Sequence, residues 1–295
     1  MGPSAVSTMN APMSQNIRRL EGRRRMSRGG EIFQRGWLGF DPQSLMLIVH
    51  GFGEHSGRYE EMASWFARRR FAVFALDLQG HGRTPGRRGH VADFESFLDD
   101  VEEYLAALRK DYPALPALLV GHSMGGLISA ALVSRREVAV DAVVLSGPAL
   151  TLAPDVSRFR LAMARALCRV LPRLSLEAGL DLEGLSRDPE VVRRYREDPL
   201  VHGRVSAAMG AGMMEMQTRM RESARNVDRP VLLLHGEADP LCLVQGSRNF
   251  FAALPKGVAQ SELRIYPGLK HEIFNEPEKK QIWAEILEWW GRGFE

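Results

Sequence analysis

The segment Val120-Gly121-His122-Ser123-Met124-Gly125-Gly126 restricts this chain more than any other. The apolar run Leu118-Leu119-Val120 before it reads as a short buried strand. Leu127 to Leu132 after it is apolar and rich in helix formers. A strand that turns directly into a helix leaves no room for side chains two residues either side of the serine. Gly121 and Gly125 supply that room, and Gly126 lets the helix pack closely on a sheet. The turn pushes the Ser123 hydroxyl outward, where a base can reach it.

The pattern G-x-S-x-G arises by chance in roughly one such chain in six, and a helix-capping serine in a glycine-rich turn has the same letters. Its meaning therefore rests on partners further along. Pro230-Val231-Leu232-Leu233-Leu234-His235-Gly236 reads as a buried parallel strand, followed by Glu237-Ala238-Asp239-Pro240. The strand Glu262 to Tyr266 comes next and leads through Pro267-Gly268 to His271, the one histidine downstream of Asp239. Serine, then acid, then histidine is the chain order of an α/β-hydrolase. The acid is Asp239 or Glu237; Asp239 is favoured because it lies deeper in the loop, where it can turn toward His271. Leu45 to Val49 is a further strand, and the His50-Gly51-Phe52-Gly53 turn after it can aim a backbone amide at an oxyanion. Phe52 N–H would act there with Met124 N–H.

These residues resemble the monoacylglycerol lipase family of serine hydrolases. The resemblance rests first on His50-Gly51-Phe52-Gly53-Glu54-His55-Ser56-Gly57-Arg58-Tyr59. It continues through Asp77-Leu78-Gln79-Gly80-His81-Gly82, the serine turn, Asp198-Pro199-Leu200 and Asp239-Pro240-Leu241-Cys242. It implies Ser123, Asp239 and His271 as catalytic residues, and Phe52 and Met124 as oxyanion donors. It also suggests that Glu54, Arg58 and Tyr195 lie near the alcohol part of the substrate, although Glu54 and Arg58 read equally well as a structural ion pair. The chain departs from the animal enzymes in parts of the cap and at Phe52, where a small residue is usual.

The expected fold is the α/β-hydrolase fold, a mostly parallel central sheet flanked by helices with a helical cap insertion. Residues 29–152 and 228–295 would form the core and residues 153–227 the cap. Gly29 to Phe40 would start the sheet. Residues 1–28 carry six arginines against one Glu21 and read as a disordered basic arm, with contact to anionic lipid or organelle targeting as functional alternatives. Within the cap, Val156, Phe159, Met163, Leu167 and Val170 share one helical stripe, and Met209, Met213, Met216 and Met220 share another. Each stripe reads as packing onto the core, as the wall of an acyl tunnel, or as a lid that touches a lipid interface.

Length, charge and cysteines narrow the classes. A chain of 295 residues can bury one large core. Two cysteines, Cys168 and Cys242, suggest neither a disulfide framework nor a metal site, and Cys242 reads as a small buried residue beside the acid. A net charge of +3 without a recognition motif argues against nucleic acid as a partner. No apolar run suggests a signal peptide or a span, so a cytoplasmic enzyme is expected, with peripheral membrane contact through the cap. The expected activity is hydrolysis of monoacylglycerols without metal or organic cofactor. Lysophospholipase and acyltransferase are the alternatives with the same triad, and a non-catalytic receptor is the alternative from another class. Haloalkane dehalogenases and epoxide hydrolases carry Asp where this chain has Ser123.

Overall fold

A computed structural model describes residues 16–151 and 168–294. Its strands in chain order are β1 (Arg18–Arg25), β2 (Glu31–Leu38), β3 (Ser44–Val49), β4 (Phe71–Asp77), β5 (Ala117–His122), β6 (Ala142–Ser146), β7 (Ser175–Glu177), β8 (Arg204–Ser206), β9 (Val231–Gly236) and β10 (Glu262–Tyr266). Among the described residues, eight of them form one sheet in the order β1-β2-β4-β3-β5-β6-β9-β10. The pairs β1–β2 and β2–β4 are antiparallel, and every other pair is parallel.

The two faces of the sheet follow from period-two alternation along strands that are buried throughout. In β3, Leu45, Leu47 and Val49 face one core, and Met46 and Ile48 face the other. On the first face lie α2 (Glu95–Asp111), α3 (Met124–Arg135) and α6 (Val244–Ala253). On the second lie α1 (Glu60–Ala67) and α7 (Lys279–Phe294). Helix α3 is buried from Met124 to Ser134, as its all-round apolar sequence demands. Helix α7 buries both Trp289 and Trp290, and each indole N–H finds an acceptor: Gln260 O at 2.8 Å and Ser44 Oγ at 3.0 Å.

The sheet does not begin at Gly29. Residues 18–25, expected within a disordered arm, form β1 and pair with β2 in register from Arg18↔Leu38 to Arg25↔Glu31. Gly29 and Gly30 close the turn with φ values of +83° and +87°, and Met26 is buried beside it. Arg-Arg-Leu-Glu-Gly-Arg-Arg-Arg has no apolar alternation, so the sequence carries no strand signal. The edge strand is held by its main-chain ladder and by charge pairs such as Arg19–Glu60 at 2.6 Å and Arg35–Glu21 at 2.9 Å. The first 15 residues lie outside the described part.

Between β6 and β9 the chain leaves the sheet. Here β7 and β8 pair antiparallel, flanked by α4 (Pro189–Glu197) and α5 (Ala207–Ser223). Asp188 caps α4 by accepting from Glu190 N–H, with Pro189 in the first turn where its missing N–H costs nothing. Ser206 caps α5 by accepting from Met209 N–H at 3.2 Å. Along α5, Met209, Met216 and Met220 are buried against the core. The helix expected from Val156 onward lies almost wholly outside the described residues.

The parallel register gathers the C-terminal ends of β3, β5, β9 and β10 on one edge of the sheet. Phe52, Ser123, Asp239 and His271 all follow those ends. Helix crossovers can return the chain only from that edge, so loops with freedom to vary collect there.

Candidate active site

Ser123 takes φ +54° and ψ −117°, a conformation an L-residue adopts only when its surroundings enforce it. The enforcement is a set of backbone contacts. A Cβ on Gly125 would lie 2.1 Å from Val49 O, and one on Gly121 would lie 2.4 Å from Gly125 O. A Cβ on Gly126 would lie 2.7 Å from Pro148. Ser123 N–H donates to Ser146 O at 3.0 Å, and Ser123 O accepts from Ala149 N–H at 3.0 Å. The turn is thus tied to the end of β6 on both sides of the serine. Ser123 Oγ lies 4.0 Å from Cys242 Sγ. Burial pushes the Cys242 thiol up, so it stays protonated beside the serine.

His271 Nδ1–H donates to Asp239 Oδ2 at 2.7 Å. The other oxygen, Asp239 Oδ1, accepts from the amides of Leu241 at 2.8 Å and Cys242 at 2.9 Å. His235 Nε2 also stands 3.2 Å from Asp239 Oδ2. Burial works against the Asp239 carboxylate, but the bonds from His235 and His271 outweigh it and hold its pKa well below the usual carboxylate range. Glu237 is exposed and does not reach the histidine.

Two neighbouring histidines show how much one carboxylate matters. His122 and His271 are both buried, with ring centroids 4.7 Å apart. Burial, reinforced by the nearby His271, lowers His122 to about 4. Burial also opposes charge on His271, yet the bond and charge of Asp239 prevail, aided by Glu272 and Glu54, and raise its pKa above the ordinary 6.5.

Glu54, Arg58 and Glu272 form a buried network. Arg58 Nη1 donates to Glu54 Oε2 at 2.6 Å and to Glu272 Oε1 at 2.7 Å, and Nη2 donates to Glu272 Oε2 at 2.8 Å. Glu54 Oε1 also accepts from Gly51 N–H at 2.6 Å and from Tyr59 O–H at 2.8 Å. The Arg58 guanidinium lies over the Tyr195 ring, 4.6 Å from its centroid. The Glu54–Arg58 ion pair expected as one reading is present. Glu54, Tyr195 and Glu272 line the cavity, and Arg58 sits behind them. Sequence reasoning missed Glu272 and His235. Neither carried a usable signal: Glu272 lies 214 residues from Arg58, and His235 reads only as part of a strand end.

The cavity holds about 430 Å³ and is walled by Phe52, Glu54, Ser123 and His271 at its polar end. Leu180, Leu185, Val205, Met213, Met214 and Leu241 make the rest largely apolar. Phe52 turns its ring edge-on to His81 and His202, with centroids 6.1 and 5.9 Å away. Met124 is the first residue of α3, where a backbone N–H has no acceptor within the helix.

The sheet and the strained serine at its C-terminal edge define a serine hydrolase of the α/β-hydrolase fold. The family profile described as serine aminopeptidase, S33 (Hydrolase_4) matches residues 41–278. A monoacylglycerol lipase of Mycolicibacterium smegmatis is 38% identical over 84% of this chain and 88% of its own length. The monoglyceride lipase of Homo sapiens is 36% identical over 88% of this chain and 87% of its own length. The crystal structure of a Paleococcus ferrophilus monoacylglycerol lipase is similar at a TM-score of 0.80 and 36% identity, over 88% of this chain and 97% of that one. The chain belongs to the monoacylglycerol lipase family of the α/β-hydrolases. It is a serine esterase of that kind. Among the described residues, no helix is long and apolar enough to cross a membrane.

The buried network has a consequence for acid stability. Burial alone would raise the Glu54 pKa, but Arg58, His122, His50 and the Gly51 amide lower it from 4.5 to about 2. Between those values the unfolded chain binds a proton that the folded chain does not. The carboxylate therefore contributes fully above about pH 4.5, on the order of 3 kcal/mol, and the contribution is lost as pH falls toward 2. Glu54→Gln is expected to lower the melting temperature at neutral pH and to flatten its decline on acidification. Parallel acid-melting profiles for variant and wild type would refute this account.

Proposed function

We propose that this enzyme hydrolyses monoacylglycerols to fatty acid and glycerol through an acyl-enzyme at Ser123. The observation that carries the proposal is the 2.7 Å bond from His271 Nδ1–H to Asp239 Oδ2 at the wall of an apolar cavity that also contains Ser123. With Nδ1–H committed to Asp239, the lone pair of His271 is on Nε2, the atom a general base needs.

Ser123 Oγ attacks the ester carbonyl as His271 takes its proton. Asp239 holds the imidazole in the right tautomer and stabilises the imidazolium. The amides of Phe52 and Met124 receive the developing oxyanion, and losing one such donor typically costs about 10²–10³ in rate. His271 then protonates the glycerol oxygen, which leaves. A water molecule, deprotonated by the same histidine, attacks the acyl-enzyme and releases the fatty acid. Glu54 and Tyr195 are suited to hold the glycerol hydroxyls, and the leucine and methionine walls are suited to the acyl chain.

Residues 153–227 act in this reading as a cap that delivers substrate from a lipid surface. Val170 and Leu176 are 76% and 61% exposed, Leu171 and Leu174 are also exposed, and Arg169 and Arg173 are interleaved with them. An apolar patch studded with arginine suits the boundary between head groups and acyl chains.

Glycerol and glycerophospho esters assayed across acyl lengths test the activity. Ser123→Ala is expected to release no fatty acid, while wild type favours monoacylglycerol. Cleavage of no ester by wild type would refute the esterase reading, and faster cleavage of lysophospholipid would reassign the head group. The pH profile tests the base. Activity requires neutral His271, so kcat/KM should fall on acidification with a midpoint above 6.5, the ordinary histidine value. Asp239→Asn should lower kcat by about 10⁴; near-normal turnover would remove Asp239 from the mechanism. For the cap, Leu171→Asp with Leu176→Asp should reduce co-sedimentation with anionic phospholipid vesicles several-fold. Undiminished sedimentation would leave these leucines without that role.

A further inference from the structure

Beyond the active-site cavity lies a second one, of about 300 Å³, lined by Leu150, Met220, Gly246, Asn249 and Phe250. The two cavities share two wall residues, Thr151 and Gln217. Each wall is continuous from one to the other. Helix α5 contributes Gly210, Met213 and Gln217 to the first cavity, then Gln217, Thr218 and Met220 to the second. With a rise of about 1.5 Å per residue, that face spans roughly 15 Å. On the opposite side, Leu241 and Cys242 line the first cavity and the first turns of α6 line the second. The far cavity reaches the surface at the exposed Thr218 and Asn249.

The Gln217 side chain, shared by both walls, is tied across them by a hydrogen bond. Its Nε2–H donates to Ala149 O at 3.0 Å, bridging α5 to the loop after β6. That loop also holds the nucleophile turn, through Ala149 N–H and Ser123 O. A single neutral hydrogen bond thus fastens the Gln217 amide where the two cavities meet, beside Thr151.

We propose that the acyl channel continues past Gln217 into the second cavity, and that Gln217 sets the acyl length the enzyme accepts. The proposal rests on the esterase reading for its substrate class. A short chain ends in the first cavity and never meets the Gln217 amide. A longer chain must displace the Gln217 amide from Ala149 O before its terminal methylenes gain apolar burial. Each methylene that enters such a site tightens binding about fourfold, so the fastened amide appears as a plateau in affinity against chain length.

Calorimetric binding of saturated fatty acids from C8 to C18, below their micellar concentrations, tests this on the full chain carrying Ser123→Ala. Adding Gln217→Ala should tighten C18 at least tenfold and leave C8 within twofold. Gln217→Leu keeps the bulk but removes the bond to Ala149 O, so it too should weaken the plateau. Thr218→Trp, which plugs the far cavity, should restore the plateau in the Gln217→Ala background. The same length profile in all variants, or equal tightening of C8 and C18, would overturn the proposal. Binding is read without turnover, so failure of wild type to cleave any ester would refute the esterase reading and leave the channel result to stand or fall separately.

Discussion

The site depends on a backbone close approach. The N-terminal turn of α3 sits so near the end of β3 that a methyl group on Gly125 would collide with Val49 O and His50 O. That contact locks the Ser123 turn against the His50-to-Gly53 turn. A Cβ on Gly51 would itself come 3.1 Å from Ser123 Cβ. The serine and the proposed oxyanion amides are therefore one rigid unit, and the strain at Ser123 is held by packing rather than by any single hydrogen bond.

Around that unit the electrostatics are set by buried charges that do not cancel. Glu54 and Glu272 face one guanidinium, and Asp239 adds a further carboxylate. His122 and His271 differ in outcome because only one of them holds a carboxylate. In a low-dielectric interior, burial and pairing pull a histidine in opposite directions, and geometry decides which wins. The pairing favours an imidazolium at His271, the species a serine-activating base becomes during reaction.

Much of this was legible in the chain. The apolar runs at Leu45, Leu118, Ala142 and Val231 all lie in strands of the sheet, because a parallel strand buried on both faces needs unbroken apolar sequence, and the mixed Glu262–Tyr266 segment forms its half-buried edge. Strand β1 was hidden, since an edge strand can be held by its ladder and by ion pairs without apolar alternation. Glu272 and His235 were hidden for another reason: their partners Arg58 and Asp239 are remote or loop-borne, and only the folded register brings them together. The partners of the Phe52 ring, His81 and His202, which meet it edge-on, are likewise distant in sequence and set by the fold.

The sequence by itself determined the parallel strands of the sheet, the serine turn and the order of nucleophile, acid and histidine. Each of these is encoded locally, by apolar periodicity or by glycines where a side chain cannot fit. Only the tertiary structure decided which acid meets His271, how Glu54 and Arg58 divide between ion pair and cavity wall, and which residues wall the cavity beside Ser123. Those depend on distances between segments far apart in the chain, set by packing of the sheet and insertion together.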